Sequence, residues 1–249
     1  MMLNKYIKFV SRFFIKVKNL LACNRNKIHI DKTAIFEKGE KVRLNNVSIR
    51  LYGKSRLCLM DNVSISDYDI VLHDSDLIIG THCILDKGNS TNKPNILISQ
   101  GSCLDISNNN LIRSSFWIRF GGRCEIGQYN GICEDTEIRC DESILIGNFN
   151  MISYQCMIYD TNTHNIYPKD KRRLMTIKDF PNIGKEIERP RTAPVVIGND
   201  CWLGKRAVVL KGTIVESEVV VATNAVVSNL QVPNGSIAVG NPAIIKVKA

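Results

Sequence analysis

Ile197, Leu203, Val209, Val215, Val221 and Val227 fall every six residues without a miss. Neither the 3.6-residue helix nor the two-residue alternation of a strand produces such a period. Four positions after each stands Cys201, Ala207, Thr213, Val219, Ala225 or Gln231, mostly small. This six-residue beat marks hexapeptide β-helix repeats, in which each hexad forms one flat face of a coil. The aliphatic residue is expected to point inward and stack on its equivalents in adjacent coils. The small residue sits near a tight corner, where a larger side chain would not fit. Six consecutive hexads then make two turns of a three-faced coil.

Upstream the beat recurs with slips. Ile146, Ile152 and Ile158 form one coil. Ile126, Ile132, Ile138 and Ile144 form another, with a two-residue adjustment to Ile146. Leu59, Ile65, Val71 and Leu77 repeat the pattern, again with a two-residue adjustment to Ile79. Coil starts at 59, 79 and 98, then 126 and 146, imply coils near twenty residues, while 99–125 offers no register. The composition fits: hydrophobic residues make up 44% but aromatics only 7%, so the core is built from branched aliphatics. Residues 165–194 break the repeat, carrying Pro168, Pro181, Pro190 and Pro194 and no hexads. They read as a long structureless excursion leaving a corner of the coil, the usual place for a functional loop.

The net charge of +9 is concentrated at the N-terminus. Lys5, Lys8, Arg12, Lys16, Lys18, Arg25 and Lys27 lie within residues 1–30, which hold no Asp or Glu, and removing these seven charges leaves +2. The body therefore needs no nucleic-acid partner. Leu3, Tyr6, Ile7, Val10, Phe13, Phe14, Val17, Leu20 and Leu21 recur at three- and four-residue steps, the stripe of an amphipathic helix over 1–22. Such a helix either packs on protein or lies on anionic lipid, since its polar face is wholly basic. Its apolar runs are far too short to span a membrane, and lysines and Arg12 interrupt any signal-peptide core. Nine scattered cysteines without CxxC pairs point to reduced thiols and a cytoplasmic protein, peripheral at the inner membrane face if the helix binds lipid.

The segment Tyr159-Asp160-Thr161-Asn162-Thr163-His164, the excursion, and then Pro194-Val195-Val196-Ile197-Gly198-Asn199-Asp200-Cys201-Trp202-Leu203-Gly204 resembles the hexapeptide-repeat acyltransferases. So does the closing Val232-Pro233-Asn234-Gly235-Ser236-Ile237-Ala238-Val239-Gly240-Asn241-Pro242-Ala243. That family includes sugar, capsule and O-antigen O-acetyltransferases and galactoside, maltose and xenobiotic acetyltransferases. The resemblance is good over 126–249 and weak before it. It implies an all-β solenoid, a left-handed parallel β-helix over 23–249 with the excursion at 165–194. It also implies a homotrimer with sites at subunit boundaries, and acetyl-CoA as donor to a sugar hydroxyl of a surface polysaccharide or its precursor.

Acetyl transfer to an alcohol needs a base at the hydroxyl, and imidazole titrates near working pH. His164, just before the excursion, is the expected catalytic base. Asp160, four residues earlier, is the candidate to orient it. Trp202 is placed to stack on the acceptor, and Asn130, about one coil before His164, to hydrogen-bond a sugar hydroxyl. For the donor, the resemblance points to Gly204, Ala222 and Thr223 along the pantetheine, where small residues let a ligand approach. Lys205, Lys246 and Lys248 are candidates for the phosphates. Where relatives often carry Thr-Lys after the last hexad, this chain has Ser228-Asn229. No metal is expected, because His73, His82 and His164 do not have the spacing of the zinc carbonic anhydrases that share the fold. Acetylation of an amino-sugar nucleotide at nitrogen, or a non-catalytic scaffold, are the alternative functions.

Overall fold

The computed structural model describes residues 25–182, 184 and 186–247. The N-terminal stripe over 1–22 and Lys248 lie outside these residues. The rest is a parallel β-solenoid of about ten coils with one short helix, in agreement with a left-handed β-helix. Each coil contributes one strand to each of three faces. The first coil lays β1 (Lys27–Ile30) on face A, β2 (Ile35–Lys38) on face B and β3 (Arg43–Asn45) on face C. Stacking then builds parallel sheets of nine, nine and ten strands. Among the described residues the one antiparallel strand pair closes face C, where β28 (Ile244–Val247) turns back along β27 (Ser236–Val239). A terminal repeat has no further coil to cover it, and a reversed strand occupies that edge here.

The hexad phase read from the sequence holds where it is clearest. Ile197, Leu203, Val209, Val215, Val221 and Val227 are all completely buried. Their small partners Cys201, Ala207, Thr213, Val219 and Ala225 are buried too, but Gln231 is exposed. The corner at 228–230 is one residue short, so Val232, not a residue six beyond Val227, pairs with Val215 and takes the inward place. The two-residue adjustments have a simple cause. β8 (Asp76–Ile79) and β17 (Ser143–Ile146) each send two residues inward, Leu77 with Ile79 and Ile144 with Ile146, because side chains of a strand alternate.

Two upstream expectations need correction. Val71 points outward in β7 (Asp69–His73), between the inward Ile70 and Leu72. It is apolar because the excursion borders it, as described below. The coil start expected at 98 falls instead at Ile106, which pairs with Ile79 on one side and Ile126 on the other. The segment between β9 (Ile84–Leu85) and β10 (Asn95–Ser99) swells this coil, and Ile98 belongs to face A beside Leu72. Arg113 anchors that swelling by pairing with both Asp86 and the buried Glu134. Across 99–125 the inward residues are Leu104, Ile106, Ile112, Phe116, Ile118 and Cys124.

The stack sets the response to mutation. Val215 is completely buried between coils, so Val215→Asp places an unpaired carboxylate in an aliphatic column, a change expected to cost more than about 4 kcal/mol. Lys211, half-exposed at the neighbouring corner, should tolerate Lys211→Asp within about 0.5 kcal/mol. Thermal melts of the two variants check this, and equal tolerance would contradict the inward phase.

Candidate active site

The excursion leaves the corner between faces A and B, after β19 (Met157–Tyr159), and returns at β20 (Val195–Ile197). Its base is closed by an antiparallel bridge between Thr161 and Thr192 and by hydrogen bonds from Asn162 N to Arg191 O and from Ala193 N to Asp160 O. It is not structureless. Helix α1 (Lys169–Asp179) spans its middle, with Pro168 at the N-cap and Pro181 beyond the end. Proline is tolerated at a helix start and terminates one downstream, so two of the four prolines that suggested a loop, Pro168 and Pro181, punctuate a helix. Asp170 in the first turn and Lys178 in the last suit the helix dipole. No residue of α1 is buried, so no apolar stripe announced it.

His164 stands at the root of this excursion, at the mouth of a cleft of about 510 Å³ lined by Asn165, Tyr167, Arg172, Met175 and Glu186 among others. Its Nδ1 lies 3.0 Å from Oε1 of Glu186, a residue from the returning limb whose side chain is only 8% exposed. Asn165 fixes that carboxylate from the other side, through its backbone N–H to Oε1 at 3.2 Å and Nδ2 to Oε2 at 3.1 Å. Asn165 Nδ2 also donates to Glu188 O at 3.0 Å, tying outgoing limb to returning limb. A carboxylate can only accept, so this contact holds the neutral imidazole with its proton on Nδ1. Nε2 is then left with a lone pair. The His164 side chain is 57% exposed and lines the cleft. Sequence reasoning missed Glu186 and Asn165.

Asp160 does not orient His164. Its carboxylate is buried and accepts three backbone N–H groups of the coil beneath, from Asp141, Glu142 and Ser143, at 2.7–2.8 Å. Burial pushes its carboxyl above the ordinary range, with those amides pulling the other way. It is a corner residue that satisfies otherwise orphaned amides. Asn130 is likewise structural. Asn110, Asn130 and Asn150 form a ladder at the corner between faces B and C. There each Oδ1 accepts from the next coil: Asn130 N, Asn150 N and Cys201 N, at 2.7, 2.9 and 2.8 Å. Asn130 is 2% exposed, and its Nδ2 donates to Gly147 O. It has no hydroxyl of a ligand to meet.

Trp202 lies outward on face C, half exposed, between Met151 and Val220, with Nε1 donating to Ser153 Oγ at 3.3 Å. Within one chain it is not brought together with His164, which leaves another corner. Of the donor-site candidates, Gly204, Lys205, Ala222 and Thr223 do gather, at the corner between faces C and A. A Cβ on Gly204 would meet Thr223 N at 2.6 Å, so this glycine serves the close stacking of coils, not the approach of a ligand. Lys205 and Thr223 are exposed on that corner. Ser228 ends β25 (Val226–Ser228) on face A, in register with Leu210, and Lys246 lies exposed on β28 opposite Ile237. These two stand apart from the group. Among the described residues no three His, Cys, Asp or Glu side chains converge as a metal site, and no helix is long and apolar enough to cross a membrane.

Residues 194–229 match the family described as the hexapeptide repeat of succinyl-transferase. The chain is 34% identical over 104 residues to WbbJ of Escherichia coli (strain K12), named for lipopolysaccharide biosynthesis O-acetyl transfer, covering 42% of this chain and 50% of that protein. It is 31% identical over 144 residues to Rv3034c of Mycobacterium tuberculosis (strain ATCC 25618 / H37Rv), named as an acetyltransferase, covering 57% and 41%. The chain thus spans half or less of the length of these two relatives. Among solved structures it is similar to the polySia specific acetyltransferase NeuO, with a TM-score of 0.59 at 17% identity over 90% of this chain and 87% of that one. It is also similar to Arabidopsis UDP-N-acetylglucosamine acyltransferase, with a TM-score of 0.54 at 13% identity over 89% and 72%. At these identities the structural likeness is one of fold. The chain is a parallel β-helix whose residues 194–229 match a hexapeptide-repeat family, similar in sequence to proteins named as acetyltransferases and in fold to solved acyltransferases.

Proposed function

We propose that this protein is an acetyl-CoA-dependent O-acetyltransferase acting on a sugar hydroxyl of a surface polysaccharide or its precursor. The observation that carries the reading is the His164–Glu186 pair at an open cleft, on a fold shared with acyltransferases. Nε2 of His164 takes the proton of the acceptor hydroxyl as its oxygen attacks the thioester carbonyl. The new C–O bond forms, the C–S bond breaks, and the imidazolium returns the proton to the departing thiolate. Glu186 holds the ring in the required tautomer and favours the imidazolium that forms in between. Both substrates are present together, so no covalent enzyme intermediate is needed.

In a homotrimer with parallel axes, the donor lies in the cleft between two β-helices, along the corner bearing Lys205, Ala222 and Thr223. Trp202 of one copy then faces the excursion of the next, which reunites residues that one chain keeps apart. Lys205 and Lys246 are the cations offered to the CoA phosphates. The basic segment 1–22 suits a lipid-linked acceptor at the inner face of the membrane.

Three variants separate chemistry from architecture. His164→Ala should lower kcat by about two to four orders of magnitude, as loss of a general base does, with CoA affinity unchanged. Glu186→Gln presents an amide that permits the wrong tautomer, and should lower kcat by about 10- to 1,000-fold with little change in melting temperature. Asp160→Ala orphans three buried amides and should do the reverse, destabilising by at least about 2 kcal/mol while folded protein keeps its turnover. Steady-state acetyl-CoA consumption against a panel of sugars and lipid-linked oligosaccharides, with melts alongside, reads all three. Normal kcat in folded His164→Ala would refute the assignment.

The N-terminal segment is tested by deletion of residues 1–22. On the membrane reading, binding to anionic liposomes is lost and turnover of a soluble acceptor is kept. The full-length protein's binding should also weaken with salt, since each lysine near the surface contributes on the order of 1 kcal/mol and is screened. Loss of oligomer or of melting temperature instead would assign the helix to protein packing.

A further inference from the structure

The excursion borders a second cleft, of about 630 Å³, that the mechanism does not use. Gly184 and Glu186 from the returning limb form one wall, and face A of three earlier coils forms the floor. Val71, Leu97 and Trp117 make that floor, neighbours in register on β7, β10 and β13 (Ser115–Ile118). All three point outward; the Trp117 indole donates from Nε1 to Asn95 Oδ1 at 3.1 Å, and the Arg139 guanidinium lies 4.2 Å from its ring centre. At the rim stand His73, Gln100 and Phe120. Gly184 and Glu186 line this cleft and the His164 cleft alike, so the two adjoin at the carboxylate that holds the imidazole.

The floor is aliphatic and aromatic, the rim adds His73, Gln100 and Phe120, and the charges beside them are paired. Arg119 is held by the buried Asp141 at 2.8 Å, and Glu186 by His164 and Asn165. Aromatic rings with a rim of neutral polar groups match a pyranose chain, whose C–H faces pack on rings while its hydroxyls exchange hydrogen bonds. We infer that the second cleft holds the units of a neutral oligosaccharide next to the one being acetylated, so that the enzyme selects chains over single sugars. The inference rests on the acetyltransferase reading for its kinetics but not for its binding.

The test uses the full-length protein and neutral hexose and N-acetylhexosamine oligosaccharides of one, two, four and eight units. KM should fall about tenfold or more between one unit and four, the size of one good aromatic contact, and then level off. Trp117→Leu keeps apolar volume on the floor, and Phe120→Asn suits the left-handed backbone at that corner, where φ is 55°. Each should raise KM for the tetrasaccharide about tenfold while leaving kcat and the monosaccharide KM unchanged. Equal KM at all lengths in the unmodified protein, or a loss of kcat shared by short and long acceptors, overturns the proposal. Calorimetric titration of His164→Ala with the same tetrasaccharides gives a readout free of turnover. Binding that disappears on adding Trp117→Leu supports the cleft even if no acceptor is acetylated, whereas absence of binding sinks it whatever the catalytic result.

Discussion

One aliphatic side chain on each face of each coil lands on its equivalent in the coil below, and everything else in this molecule follows from that contact. The column Leu59, Ile79, Ile106, Ile126, Ile146, Ile197, Val215 and Val232 runs along face B without interruption after its first strand, where Lys38 stands in register with Leu59. Fully burying such a residue is worth about 1.5–3 kcal/mol, and three faces repeat it in coil after coil. The stack fixes register, because a slip by one residue would turn every aliphatic side chain to solvent. It also fixes the corners, where the chain turns too sharply to pair its own amides. Polar ladders then do that work: the Asn110–Asn130–Asn150 series on one corner, and Asp160 over Asp141, Glu142 and Ser143 on another.

Such regularity leaves the coil little room for chemistry. Its inward residues are core, and its corner polar groups are consumed by backbone amides. An imidazole needing an oriented partner and an open face has to stand where the repeat is broken, and the helix-bearing excursion provides that place. The excursion carries its own frame, the Thr161–Thr192 bridge at its base and the Asn165–Glu186 contacts above it. His164 is thereby held from the returning limb, not from the coil that precedes it. Lying back along face A, the same limb also borders Val71, which explains an apolar residue on an outward position.

The legibility of these features in the sequence follows the same division. The hexads from Ile197 to Val227 are readable because two coils pass there without insertion and every strand after β20 shows one inward aliphatic residue. Upstream, strands that send two residues inward blur the beat into apparent slips, and the swelling before β10 displaces the register past any extrapolation from Ile79. His164 was visible through its setting before the excursion. Glu186 was not, because its contact is set by how a helix without a buried face folds back, which no periodicity encodes. Asp160 misled for the opposite reason. Four residues bring two side chains together on a helix, but at a β-helix corner the backbone turns and parts them.

The central claim is that His164 and Glu186 act as one unit on the acceptor hydroxyl, and a double-mutant cycle on kcat measures it most directly. If Glu186 works only through the imidazole, adding Glu186→Gln to His164→Ala should lower kcat no further than His164→Ala alone. Additive losses, with the double variant slower by the full product of the two single effects, would mean that the carboxylate and the imidazole act separately and would contradict the account.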